Sequence, residues 1–407
     1  MLANDLPEGR HEPAFAILNG VRVVDLTTSV AGPYATMLLS DFGAQVIKVE
    51  RQSGDDARYW GPPFVDGESL WFLSVNRNKH SVCLNYADDE GRRVLDALLD
   101  SADVVVTNQT PDVQRKLGMR PEDLRKGREK LIVASITGFG LSGSKSRLPC
   151  YDLIAEGYSG IMDLTGPADA EPQKVGAPAA DMLAGSDAAM GVLAALLRRH
   201  GTGQGCVVDV SLSESMIRFT SPRIVPYLGS GEVSRRSGGR DSVIAIYQTF
   251  ETADLPMTLG LGSDRIWQRF WELLQRPDLC TDPALASNAQ RRARREEIVE
   301  QIQAILLGKP RAEWLRLLAE AGVPAGPIYR VDEVTEDPHF QARELFFQIP
   351  RNGHALPQVG LGIHLDGKAA GYFAAPPRLG EHTEQILQGC LGYDEQRLAE
   401  LRKRNVI

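Results

Sequence analysis

Apolar positions in the first half of the chain fall into short β-rich runs separated by helical stretches, and this alternation predicts an α/β layout. Val21 to Leu26 is largely apolar, as a strand covered on both faces should be, and Pro33 suits the first turn of a helix from Tyr34 to Phe42. Gly43 ends that helix and Gln45 to Glu50 is a second strand, so the unit Val21–Glu50 reads as βαβ with a parallel sheet. Asn78 to Leu84 is a loop running into a strand, Asp88 to Asp100 a capped helix, and Val104 to Asn108 a buried strand with a polar end. Helical segments between Val113 and Lys130 lead to a strand at Leu131 to Ile136. A helix is predicted over Tyr151 to Gly160, a long apolar helix over Met182 to Leu197, a strand over Cys206 to Leu212 and a helix over Ser213 to Pro226.

Gly229 to Asp241, rich in Gly, Ser and Arg, reads as a linker. Beyond it, two strands (Ile244 to Phe250, Pro256 to Leu261) precede amphipathic helices at Arg265 to Leu274, Arg291 to Leu307 and Arg311 to Ala321. They predict a smaller α+β domain closed by Gly322 to Pro327. Gly380 to Thr383 reads as a short strand and Glu384 to Leu391 as a final helix. The organisation is a lead-in over 1–17, a large domain over 18–228, a linker over 229–241, a small domain over 242–328 and a last part over 329–407. At 407 residues, two domains are the expectation on size alone.

Composition narrows the function classes. A net charge of −8 argues against a nucleic-acid ligand and gives no reason to expect an anionic membrane as partner. The apolar runs are read as shorter than the roughly 20 residues that span a bilayer. Five scattered cysteines without CxxC or Cys/His spacing suit reduced thiols, a cytoplasmic setting and no structural zinc. The turn after the first strand lacks GxGxxG, so a nicotinamide or flavin cofactor is not expected.

The stretch Gln173 to Gly185 sets one carboxylate, Asp181, between a Pro/Ala-rich approach and the long apolar run. Pro178 cannot extend a preceding helix, so Asp181 falls at the N-cap or first turn of a new one. The small residues Ala179, Ala180, Ala184 and Gly185 leave room around it. Asp181 is then either a helix cap or a nucleophile. The glycine-spaced Gly138 to Ser144 is equally open between linker and functional loop.

At these residues the chain resembles the class III CoA-transferases of the formyl-CoA transferase and carnitine CoA-transferase type. The carriers are Leu18 to Leu26 with Ala31-Gly32-Pro33, Gly43 to Glu50, Asn76-Arg77-Asn78-Lys79-His80-Ser81, Pro178-Ala179-Ala180-Asp181, Gly203-Gln204-Gly205, Gly322 to Pro327 and Gly380-Glu381-His382-Thr383. They stand in family order from residue 18 onward. The resemblance implies a Rossmann-like large domain built from both ends of the chain, with the small domain inserted. It further implies a ring-shaped monomer that interlocks with a second copy as a homodimer, and Asp181 as nucleophile.

In the implied cycle, Asp181 attacks the donor acyl-CoA to give a mixed anhydride and CoA thiolate. The thiolate attacks the aspartyl carbonyl, releasing the donor acid and leaving an aspartyl-CoA thioester that the acceptor carboxylate resolves. CoA is a substrate here, and no permanently bound cofactor or metal is expected. The CoA contacts carried over are Ser29, Ala31, Arg51, Lys79, Asn108 and Lys116. The family pattern has Arg at Lys116, and a further lysine of that pattern falls at Pro149 here. Gly238 and Gly239 match, in a short form, a glycine loop over the acyl site. Tyr151 replaces the His that the related α-methylacyl-CoA racemases place before Asp. Since an unperturbed Tyr titrates near pH ~10, this disfavours racemisation. Tyr151 is left as a hydrogen-bond donor near the thioester or as a core aromatic.

Racemisation of a bound acyl-CoA and a silent CoA-binding protein are the alternatives to transfer. Arg218, Arg223, Arg235, Arg236 and Arg240 cluster around the linker, which motivates a dicarboxylate such as succinate as a participant, either as the donor succinyl-CoA or as the acceptor.

Overall fold

In the computed structural model, which describes residues 1–11 and 15–407, the strand patterns of the first half form one sheet. Its strands are β1 (Arg22–Asp25), β2 (Gln45–Glu50), β3 (Lys79–Cys83), β4 (Val104–Thr107), β5 (Ile132–Thr137) and β6 (Val207–Ser211). All neighbours are parallel, in the order β3-β2-β1-β4-β5-β6. The order reverses between β1 and β4, which makes that crevice the topological switch point where open α/β sheets take their ligands. The connecting helices used below are α1 (Ala31–Asp41), α2 (Asp89–Asp100), α3 (Pro111–Lys116), α4 (Asp152–Ser159), α5 (Ala179–Thr202) and α6 (Leu212–Phe219).

Contacts divide the chain into two compact units. One comprises Met1–Gly160, Val175–Ser221 and Thr335–Ile407; the other comprises Ile161–Lys174 and Pro222–Val334. The second unit therefore begins before the expected linker and takes in residues 161–174, which the sequence pattern assigned to the large domain. The reason is polar. Gly238 N–H donates to Gly166 O at 2.9 Å, Arg236 Nε donates to Ala170 O at 2.6 Å, and Arg235 and Arg236 both pair with Asp163. The arginine-rich "linker" is thus pinned structure.

In the second unit, β7 (Tyr247–Phe250), β8 (Met257–Gly260) and β9 (Ala325–Pro327) form an antiparallel sheet. Its core is shared with α7 (Asp264–Leu273), α8 (Arg295–Leu306) and α9 (Arg311–Glu320) through Trp267, Phe270, Trp271, Ile302 and Trp314.

The last segment returns to the first unit. A hairpin of β10 (Phe346–Arg351) and β11 (His354–Val359) is followed by α10 (Thr383–Leu391) and α11 (Glu395–Lys403). Ile386, Leu387, Leu398 and Leu401 bury against Val24, Ile47, Val82 and the α2 residues Val94 and Leu98. Gly380 to Thr383, expected as a strand, is the turn that starts α10: His382 N–H donates to Ser81 O at 2.9 Å and Cys83 N–H to Thr383 Oγ1 at 3.0 Å. Of the expected lead-in, residues 12–14 lie outside the described residues. Its beginning is tied down, since Gly9 N–H donates to Gln348 O and Gln348 N–H to Pro7 O.

α5 runs for 24 residues and is long and apolar enough to cross a membrane by length and composition, which the shorter apolar run read from the sequence missed. Its small residues Ala180, Ala184, Gly185, Ala188, Ala189 and Val192 are buried, and it packs on α1, β5 and β6, which is the setting of a core helix. Gly185 is required for this approach: a Cβ there would lie 2.6 Å from Ala31 O and 3.0 Å from the Tyr34 ring.

Candidate active site

The head of α5 is where the candidate nucleophile sits. Pro178 precedes the helix and makes no side-chain cap, which leaves the first N–H groups of α5 in need of acceptors. Asp152, the first residue of α4, supplies one. Its Oδ1 accepts from Ala180 N–H at 2.8 Å and from Asp181 N–H at 3.2 Å. Asp181 occupies the third helical position, half-buried, and its own carboxylate receives no hydrogen bond among the described residues. Burial first, and the Asp152 charge second, push its pKa from 3.8 up to about 7. Of the two roles open to it, Asp181 is not the cap. Half-buried and without donors among the described residues, this carboxylate is correspondingly more basic than an ordinary one.

Cys150 is a neighbour. Burial, then Asp181, push its thiol up to about 11, so it is protonated and a poor nucleophile. Tyr151 is 73% exposed and its hydroxyl has no protein partner among the described residues, so it is not the core aromatic it could have been.

A second group of residues gathers at the switch point. Asn108, just past β4, holds the turn after β1 from both sides: Oδ1 accepts from Thr28 N–H at 3.1 Å and Nδ2 donates to Thr28 O at 2.7 Å. Ser29 follows with φ +70°, in the left-handed region uncommon for a side chain with a Cβ. Its N–H donates to Asp55 Oδ1 at 2.9 Å, and Asp55 pairs with Lys48 at 2.9 Å with both side chains fully buried. Ala31 then opens α1. The contact of Gly185 with Ala31 O brings α5 against this turn, so Asp181 and the switch point belong to the same end of the sheet.

Lys79 departs from the expected CoA contact. Its ammonium is fully buried and donates to Asp25 Oδ2 (3.1 Å), Pro33 O (2.8 Å) and Asn76 Oδ1 (2.8 Å), which leaves it no face toward a phosphate. Asp25 also accepts from the Thr27 and Thr36 hydroxyls. Burial alone would raise Asp25, but Lys79, Lys48 and these hydroxyls hold it at about 2. The pair braces the β1–α1 turn from within. The basic residues open to solvent are Arg51, whose Nε donates to Gly54 O and which pairs with Asp56, and Lys116 at the end of α3.

Gly238 and Gly239 belong to the second unit. Gly238 has φ +62°, and a Cβ on Gly239 would lie 2.5 Å from Thr249 Oγ1. A cavity of about 340 Å³ lined by Gly239, Tyr247, Thr258, Gly260 and Gly326 adjoins them. Four of the five linker-region arginines are engaged: Arg218 with Asp187, Arg223 with Asp241, Arg235 and Arg236 with Asp163. Arg240 is exposed without an ion-pair partner among the described residues.

Sequence reasoning passed over Asp152, Asp55 and Lys48. A charged residue inside an apolar strand, such as Asp25 or Lys48, was the available sign of a buried network. Nothing local announces that Asp152 serves a helix that starts 27 residues later.

Comparison with known proteins bears on this arrangement. Residues 18–383 match the family model for CoA-transferase family III. The chain belongs to that family. It is 37% identical over 402 residues to the succinyl-CoA:glutarate CoA-transferase of Mus musculus, covering 96% of this chain and 90% of that protein. It is 36% identical over 383 residues to the succinyl-CoA:mesaconate CoA-transferase of Haloarcula marismortui, covering 91% and 95%. Among solved structures, a CAIB/BAIF family protein from Brucella suis superimposes with a TM-score of 0.80 at 35% identity, over 92% of this chain and 99% of that one. The protein is an enzyme of the class III CoA-transferase type, with the six-stranded parallel α/β sheet of this family.

Proposed function

We propose that this CoA-transferase moves CoA from succinyl-CoA to a second carboxylic acid through Asp181, with CoA seated at the switch point formed by Ser29, Ala31 and Asn108. The observation that carries the reading is the half-buried carboxylate at the head of α5, basic and paired with no cation among the described residues. Ionised Asp181 adds to the thioester carbonyl of the donor and expels CoA thiolate, giving a mixed anhydride. The thiolate attacks the aspartyl carbonyl and frees succinate, leaving Asp181 as its CoA thioester. The acceptor carboxylate then attacks that thioester to form a second mixed anhydride. The returning thiolate takes the acceptor acyl group and regenerates the aspartate. The net reaction exchanges one thioester for another of similar energy, while the mixed anhydrides between them lie uphill, so binding of the CoA nucleotide lowers the barrier by positioning the reactants.

The names of the relatives support succinyl-CoA as donor and a dicarboxylic acid as acceptor. The absence of His at Tyr151 supports transfer over racemisation. A homodimer, implied by the family resemblance, is supported by apolar side chains exposed on α5, Met190 and Leu197. Cytoplasmic residence is part of the same proposal.

The test is intact-mass and peptide mapping after succinyl-CoA plus hydroxylamine or borohydride. A modification on the peptide carrying Asp181, absent from Asp181→Ala, is the expected result. No modification with any of several donors, while CoA still binds, would overturn the nucleophile.

A further inference from the structure

Two helices of the first unit begin at one point. α4 starts with Asp152 and α5 starts at Ala179, and the Asp152 carboxylate spans the gap by accepting from two N–H groups of α5. Those N–H groups are the ones a carboxylate at the third helical position would ordinarily draw on for stabilisation. With Asp152 holding them, the α5 head is fixed against α4 while the Asp181 carboxylate is left without a donor.

We infer that Asp152 is a positioning residue for the transfer reaction: its carboxylate fixes the head of α5 and, by its charge and by occupying the helix donors, keeps Asp181 a strong nucleophile. The inference rests on Asp181 being the nucleophile. Two roles follow from one side chain, one geometric and one electrostatic, and they can be separated.

The surroundings leave few competitors for the electrostatic role. Of the groups on neighbouring elements, Asp152 and the Cys150 thiol face Asp181. Glu156 of α4 is directed to Val175 N–H at 2.9 Å. On α1, the Tyr34 hydroxyl bonds Ser186. On α6, Ser215 and Arg218 both engage Asp187. Asp209 of β6 accepts from Leu141 N–H. Protonated Cys150 carries no charge at neutral pH, which leaves Asp152 as the charge that Asp181 meets.

The experiment measures single-turnover acylation of the full-length enzyme by succinyl-CoA across pH 5 to 9, in wild type and in Asp152→Asn, Asp152→Ser and Asp152→Ala. Asn keeps an oxygen for the α5 N–H groups and removes the charge. Its acylation midpoint should move acidward by about one pH unit and its plateau rate should fall severalfold. Ala removes both roles, and its plateau should fall a further tenfold or so with the donor KM little changed. Ser restores an acceptor in short form and should recover part of that loss. A wild-type midpoint in Asp152→Asn, or an undiminished rate in Asp152→Ala, would overturn the inference. Should Asp152→Ala fail to fold, the Asn and Ser variants decide alone. Absence of any acylation at Asp181 in the wild type is a different result: it removes the nucleophile reading itself.

Discussion

Asp181 carries a stability consequence beside its chemistry. Its carboxyl titrates at about 7 in the folded chain against an ordinary 3.8, so between these values the folded state holds a proton that the unfolded state has lost. Stability is therefore highest below the ordinary value and declines as pH rises through about 7. Above it, the buried charge costs of the order of 2–4 kcal/mol, counting partial exposure. Asp181→Asn should raise Tm at pH 8 and leave it unchanged at pH 4 while abolishing acylation; equal Tm differences at both pH values would disprove the link. Lys79 makes the opposite kind of prediction. Replacing it with Ala strands the Asp25 carboxylate in the core, which should cost about 3–5 kcal/mol in urea unfolding. A loss well under 1 kcal/mol would mean that the pair does not brace the turn.

At the scale of elements, the site depends on how closely α5 lies on α1 and how rigidly the β1–α1 turn is held. Gly185→Val would drive a branched side chain into Ala31 O and the Tyr34 ring, at a cost of about 1–3 kcal/mol, with displacement of the α5 head. Urea denaturation and acylation rate should both report it, and a variant as stable and active as wild type would show that the helices have slack. Asn108→Ala removes both bonds to Thr28 and should weaken CoA binding about tenfold by calorimetry, since roughly 1.4 kcal/mol separates a held turn from a loose one. Unchanged affinity would move CoA away from the switch point. Elements of this kind were legible where their periodicity was complete: the six strands of the sheet and the helix between β1 and β2 follow from runs such as Val23-Val24 and Val104-Val105-Val106. Gly380 to Thr383 was not, because a four-residue stretch of turn-forming and β-branched residues carries no period, and its bonds to Ser81 and Cys83 lie some 300 positions away.

For the whole molecule, the proposed homodimer predicts a particle of twice 44.6 kDa by light scattering, persisting at micromolar concentration. A monomer under those conditions would leave Met190 and Leu197 without the cover their exposure asks for. What the sequence determined by itself is what local chemistry dictates: a parallel α/β sheet from apolar runs, a second smaller unit rich in amphipathic helices, and a lone carboxylate after Pro178 at the start of a long helix. What only tertiary structure decided is everything that rests on partners far apart in the chain. The assignment of residues 161–174 to the second unit came from arginines of the supposed linker. Lys79 became a buried brace because Asp25 lies on a nearby strand of the same sheet. The basicity of Asp181 came first from its burial at the head of α5 and second from Asp152, which reaches it only because two helices begin at the same place, and no pattern of period 2 or 3.6 records where separate helices start in space.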